Sequence, residues 1–183
     1  MPTIFTHAVV PLAIAIAAGR GHISPKLTVA GAVFAILPDA DVVAFRFGVD
    51  YADTWGHRGA THSFVFAGLC AGALALVWKE ARSLLAFAFL TLAMASHGLL
   101  DTLTDGGLGA ALFWPFDNTR IFAADTPVRV SPIGRGFFSA RGLETILSEL
   151  RWIWLPCLAL AGLAWGARKA IAKGKRRAAR SRG

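Results

Sequence analysis

Apolar residues run almost unbroken through five stretches of the chain, and the polar positions inside the first two are few enough to name. Ile4 to Gly19 is interrupted only by Thr6 and His7, and Leu27 to Phe45 only by Thr28 and the Pro38-Asp39-Ala40-Asp41 turn. Ser63 to Trp78 and Ser83 to Leu100 form a helical hairpin around Lys79-Glu80-Ala81-Arg82, and Trp152 to Ile171 makes the last run. About 20 apolar residues cross a bilayer as a helix. The pattern therefore predicts an all-α, polytopic membrane bundle of about five spans, the first three short or interrupted. Residues 1–171 form one helical membrane domain, and 172–183 a basic cytoplasmic tail. Between Thr102 and Arg151, before the last span, lies an extramembrane segment rich in Gly, Pro and aromatics, with Leu108 to Phe116 dipping toward the interface.

Composition agrees. Of 183 residues 55% are hydrophobic and 16% charged, where soluble domains carry roughly 25% charged residues. Mean hydropathy is +0.54. The net charge of +8 and pI near 10.5 raise the question of nucleic acid. The basic residues, however, concentrate at the C-terminus, in Arg168, Lys169, Lys173, Lys175, Arg176, Arg177, Arg180 and Arg182. Such a cluster beside a span marks the cytoplasmic side, and nucleic-acid binding is set aside. Cys70 and Cys157 stand alone in apolar runs, without disulfide or zinc-ribbon spacing, and read as packing residues. No cleavable signal peptide is evident, because the N-terminus has no basic region before its apolar run.

Charge also orients the spans. One side of the five-span arrangement collects Arg20, Lys26, Lys79, Arg82 and the eight C-terminal basic residues, twelve in all, against Glu80 alone. The other side holds seven arginines against the remaining ten acids. The positive-inside rule makes the first side cytoplasmic, so the N-terminus and the 102–151 segment face the periplasm or exterior of a bacterial inner membrane.

This topology brings scattered residues to one level. Counted from the cytoplasmic loops, His7 lies 13 residues from Arg20, Asp39 13 from Lys26, His62 17 from Lys79 and His97 15 from Arg82. At 1.5 Å per residue these are depths of roughly 20 to 25 Å. Asp101 sits one turn beyond His97 on the same helix face, and Asp41 and His57 adjoin the others in sequence. Seven candidate metal ligands result: His7, Asp39, Asp41, His57, His62, His97 and Asp101. Ionisable groups at such depth cost several kcal/mol unless paired or metal-bound.

Each fragment also has a plainer explanation. His97 and Asp101 could be a hydrogen-bonded pair on a helix surface. Asp39 and Asp41 could cap a polar turn after Pro38. His57 to His62 could be an interfacial loop in which Thr61 caps the next helix, and His7 could border water. Together these explanations fare worse, because they place three carboxylates and four imidazoles at one depth without compensation. His22 falls in the cytoplasmic turn and is excluded.

Mixed imidazole and carboxylate donors suit zinc, with manganese or iron as alternatives. Seven ligands exceed the needs of one zinc, so two ions, or three, sharing bridging carboxylates are expected. Such a cluster activates water and clamps the oxygens of a displacement at phosphorus. One carboxylate would orient that water. Asp41 is preferred to Asp39 because it lies nearer the membrane exit. Arg58, fixed between two ligands, would hold a phosphate oxygen or sit as a surface guanidinium at headgroup level.

The Leu37-Pro38-Asp39-Ala40-Asp41 turn, the block from His57 to Ser63, the stretch from Ser96 to Gly107 and the later Trp114-Pro115-Phe116 carry a resemblance. Together they resemble the YdjM-like family of bacterial membrane-bound metal-dependent hydrolases, from roughly His7 to Pro132. More distantly, His97 and Asp101 on one helix, with upstream Asp and His ligands, are similar to the zinc-dependent phospholipase C and P1 nuclease class. That class implies a mostly helical fold, a multi-zinc site and phosphoester hydrolysis. The chain lacks the downstream His and Glu ligand pair of those enzymes, which speaks against a third ion.

The reading is a metal-dependent hydrolase of a lipid phosphoester or phosphoanhydride at the outer leaflet, with membrane lipids as partners. The competing class is a divalent-metal transporter or metal-binding membrane protein, since intramembrane carboxylates and histidines also mark ion pathways. A pathway should continue inward, whereas Ala13 to Ala18 and Ala71 to Val77 offer no ligand.

Overall fold

The computed structural model describes residues 1–132 and 134–180. It is all-helical, with no strand among the described residues and only two isolated bridges, Thr104 to Val128 and Ala110 to Ile121. Among the described residues are α1 Ile4–Ala18, α2 Pro25–Ile36, α3 Phe64–Val77, α4 Leu84–Thr102, α5 Ala140–Glu149 and α6 Leu155–Arg180, all but α5 on the apolar runs. Pro25–Phe47, Leu84–Thr102 and Ala140–Lys175 are long and apolar enough to cross a membrane; Ile4–Ala18 and Phe64–Val77 are shorter apolar helices.

Local chemistry sets the boundaries. Ser24, Ser63 and Ser83 cap α2, α3 and α4 by accepting from the backbone N–H three residues on, leaving fewer orphan donors at each start. The cap of α3 is thus Ser63 and not Thr61, whose hydroxyl is drawn away to Asp41. After α2 the chain tightens into a 3-10 helix, Leu37–Phe47, because Pro38 removes a donor and crowds the preceding turn. Gly48, at φ 79°, ends it. In the α3–α4 hairpin, Arg82 donates to the carbonyls of Ala75 and Leu76 and satisfies the end of α3.

Packing places α4 at the centre. It lies against α1, α2 and α3, while α6 lies along the far side of α1. Phe34, Phe89, Leu90 and Met94 fill the core, and Gly31 lets α2 approach so closely that a Cβ there would come 2.5 Å from the Phe89 ring. The expected packing roles of Cys70 and Cys157 fit their half-buried, unbridged state.

α5 joins α6 through a π-turn, Leu150–Trp154, making one helical run from Ala140. α6 continues past Ile171 to Arg180, so the basic residues there are helical, while residues 181–183, with Arg182, lie outside the described residues. As for Leu108 to Phe116, its centre folds inward, with Ala110, Ala111 and Leu112 buried, while Leu108, Phe113, Pro115 and Phe116 are exposed. Ala111 donates to the Arg58 carbonyl and Phe64 to that of Leu112, so this segment braces the loop before α3.

Candidate metal centre

The four segments carrying the candidate ligands meet at one end of the bundle. α1 brings His7, the 3-10 helix Asp39 and Asp41, the turn before α3 His57, Arg58 and His62, and α4 His97 and Asp101. All are buried, His7, Arg58, His97 and Asp101 completely. Gly98 makes this convergence possible: a Cβ there would stand 2.3 Å from the His62 carbonyl oxygen.

Asp39, His62, His97 and Asp101 each offer an atom within 4.8 Å of the others. His97 Nε2 is 3.2 Å from Asp39 Oδ1, and His62 Nε2 is 3.3 Å from Asp101 Oδ2. The tautomers follow from the other ring nitrogens. His97 Nδ1 lies 2.7 Å from the Ala35 carbonyl, which only accepts, so Nδ1 carries the proton and Nε2 is bare. Thr61 gives its hydroxyl proton to Asp41 and therefore accepts from His62 Nδ1, which bares the Nε2 of His62 as well.

Bare imidazole nitrogens thus face carboxylate oxygens in the buried site. His62 Nε2, His97 Nε2, both nitrogens of His7 and all four oxygens of Asp39 and Asp101 are buried without a hydrogen-bond partner. Such groups cost several kcal/mol each unless a cation lies between them. The donor set fits a borderline divalent ion. His7 stands outside the group of four, yet its Nε2 faces Asp101 Oδ1 at 3.8 Å.

Asp41 is placed differently from Asp39. Its Oδ1 is 2.7 Å from His57 Nδ1, and its Oδ2 accepts from Thr61 and the Arg58 amide while facing His62 Nδ1 at 3.3 Å. Asp41, His57 and His62 form a second group of convergent donors, but here the carboxylate is already hydrogen-bonded.

Arg58 is no surface guanidinium. Its Nε lies 3.1 Å from Asp101 Oδ2, and its terminal nitrogens donate to the Gly106 carbonyl and Thr104 Oγ1. Its backbone takes φ 65° to do so, a strained value for a side-chain-bearing residue. Two of its five N–H donors are hydrogen-bonded, Nε faces Asp101 as an ion pair without a hydrogen bond, and one N–H on each terminal nitrogen is left. Arg58 and His57 line a cavity of about 520 Å³ whose other walls include Phe5, Tyr51, Gly107, Phe137 and Phe138. His22, as expected, is exposed at the opposite end, beside the Ala18 carbonyl.

Sequence reading missed two anchors. Arg120 donates to the carbonyls of His57, Tyr51 and Asp53 and so fixes the loop carrying His57. Glu149, buried at the end of α5, accepts from Thr3 and Thr6, and Trp154 donates to Thr6, tying the start of α1 to the last helix. An acid three residues before an apolar run was the one available signal for Glu149.

The profile of the family described as YdjM inner membrane protein matches residues 1–171. Inner membrane protein YbcI of Escherichia coli (strain K12) is 42% identical over 173 residues, which cover 92% of this chain and 100% of that protein. No solved structure gives a significant match.

Proposed function

This chain belongs to the YdjM inner membrane protein family, and from that premise we propose that it is a metal-dependent hydrolase of lipid phosphoesters or phosphoanhydrides. The observation that carries the reading is the set of buried, partnerless atoms on Asp39, His62, His97, Asp101 and His7. They outnumber the four donors of one tetrahedral ion. These five residues would hold two ions, and around Asp101 the donors lie on both sides: Oδ2 faces His62 and His97 while Oδ1 faces His7. Zinc suits the donors best, with manganese or iron next.

A divalent ion held there supplies Lewis acidity toward a phosphoryl oxygen and an activated water. The protein's own groups do the rest. Asp41 holds Nδ1 of His57 and leaves Nε2 as the nitrogen that exchanges a proton with a substrate in the adjoining cavity. Asp41 therefore acts through His57, and Asp39, with both oxygens free, is the ligand carboxylate. Arg58 keeps Asp101 oriented and offers its two remaining N–H groups to a phosphate oxygen.

The substrate is a lipid because the site sits at the end of an apolar bundle and its cavity is walled by Phe5, Phe137 and Phe138. Multiple spans, with the site facing the periplasm, follow from the charge asymmetry. In a metal transporter, ligands would continue to the other end of the bundle, where the cleft along α1 is lined by side chains such as Leu12, Ile16 and Val29.

The test is phosphate release from a panel of phospholipids and prenyl phosphates by purified protein, with metal content measured alongside. Release that depends on bound metal is expected. No release from any of them, together with zinc exchange across liposome membranes, would transfer the argument to transport.

A further inference from the structure

Three clefts lie end to end along α1. The site cavity shares Ile4 and Phe5 with an apolar groove of about 670 Å³ between α2 and α6. That groove shares Leu12, Ile16, Thr28 and Val29 with a third cleft that reaches Gly19 and Arg168. Its floor is α1 and its walls are Ala32 and Val33 on one side and Trp154 and Leu158 on the other. Arg168 closes the far end by donating to the Ala17 and Ile16 carbonyls.

We infer that this groove holds the hydrocarbon chain of a single-chain, prenyl-type lipid phosphate whose headgroup lies in the site cavity. The assignment rests on the hydrolase reading for the headgroup's fate, but the groove makes its own case. At Ile4 and Phe5 its upper end adjoins the cavity lined by Arg58, a buried cation with unspent donors, which complements a phosphate and not a neutral headgroup. From Phe5 to Ile16 the floor of the groove runs about 16 Å at 1.5 Å per residue, and the third cleft carries it on to Gly19. One leaflet of hydrocarbon is only about 15 Å deep, half of the bilayer core. Groove and third cleft together therefore follow a chain past the midplane, in one path for one chain. The lining of the groove itself is apolar apart from Thr28, so it contributes length selection and no polar recognition.

The experiment measures retention of lipids by the purified, metal-loaded full chain, using native mass spectrometry with a long prenyl phosphate, the corresponding uncharged prenol and a two-chain phosphatidic acid. The prenyl phosphate should be retained at one per chain, at least tenfold better than the other two. Ala32→Trp should fill the groove and reduce retention at least tenfold, and Val29→Trp on the exposed rim should do the same should the first variant fail to fold. Leu92→Trp, on the outer face of α4, should change nothing. Equal retention of all three lipids, or retention unaffected by Ala32→Trp and Val29→Trp, would reduce the groove to an ordinary lipid-facing surface. Because retention is read without turnover, a protein that binds the prenyl phosphate but never releases phosphate would sink the hydrolase reading and leave the groove standing.

Discussion

The imidazole of His7 lies flat on that of His97, with ring centroids 3.7 Å apart and planes 13° from parallel. A residue of the first helix thereby fixes the orientation of a ligand carried by the fourth. His97→Ala removes one of four convergent donors, and purified variant should lose at least one ion per chain by elemental analysis. His7→Phe keeps a ring against His97 and should retain more metal than His97→Ala does. Wild-type protein that is folded, active and free of metal would end the metal-centre interpretation.

Asp41 touches His57, His62, Thr61 and the Arg58 amide but none of the orphaned atoms. Asp41→Asn preserves its shape and removes its charge. Losing the group that fixes a proton-transferring imidazole should lower turnover by roughly 10²- to 10⁴-fold. Metal affinity should fall by about 10- to 100-fold, the usual effect of a partner that orients a ligand. Turnover within twofold of wild type would show that His57 needs no orienting carboxylate.

Gly98 admits the His62 carbonyl to the surface of α4. Gly98→Ala places a methyl against backbone that cannot rotate away, so it should destabilise the fold by about 1–3 kcal/mol, despite the better helix propensity of alanine. Thermal unfolding of the purified variant, read together with its metal content, tests this. An unchanged or raised midpoint would mean that the turn before α3 has slack.

The periplasmic placement of the site is checked by labelling, in a background lacking Cys70 and Cys157. A cysteine at Asn118, exposed beyond Phe116, should react with an impermeant reagent from the periplasm, and one at Ala172 should not. Reaction of both from the same side would overturn the five-span topology.

In the segment after α4, Asp105 joins Arg129 at 2.7 Å and accepts from the Val130 amide. Slight burial works against its charge, but these partners outweigh it and hold the carboxyl below the usual range. A depressed acid contributes above its unfolded pKa of about 3.9 and loses that contribution as pH falls through the folded value. Hydrogen exchange at the Val130 amide should therefore show less protection at acid pH than exchange chemistry alone explains. Protection unchanged down to pH 2 would contradict it.

The apolar helices were readable because apolar runs this long have few other fates, and the buried cluster because histidines and aspartates are rare inside them. Pro38 announced the change of helix type by its missing donor. α5 was not readable: with Arg141, Glu144 and Glu149 interleaved among Leu143, Ile146 and Leu147, it lacks the continuous apolarity that identified the others. The tasks of Arg58, Arg120 and Glu149 were hidden for another reason. Each depends on partners more than 40 residues away in sequence, and a buried arginine and a surface arginine are the same letter. The preference for Asp41 over Asp39 as the water-orienting carboxylate rested on depth alone, which carries no information about which oxygens are already spoken for.

The clamp of Glu149 on Thr3 and Thr6 has a consequence for biogenesis. The helix that presents His7 is made first, yet the group that pins its outer end is made after every candidate ligand has left the ribosome. A nascent chain can therefore gather Asp39, His62, His97 and Asp101 into a pocket before its first helix is locked beside them. Completion of the centre is thus tied to delivery of the last helix, and a chain interrupted before Glu149 would carry all the ligands and still lack a finished site.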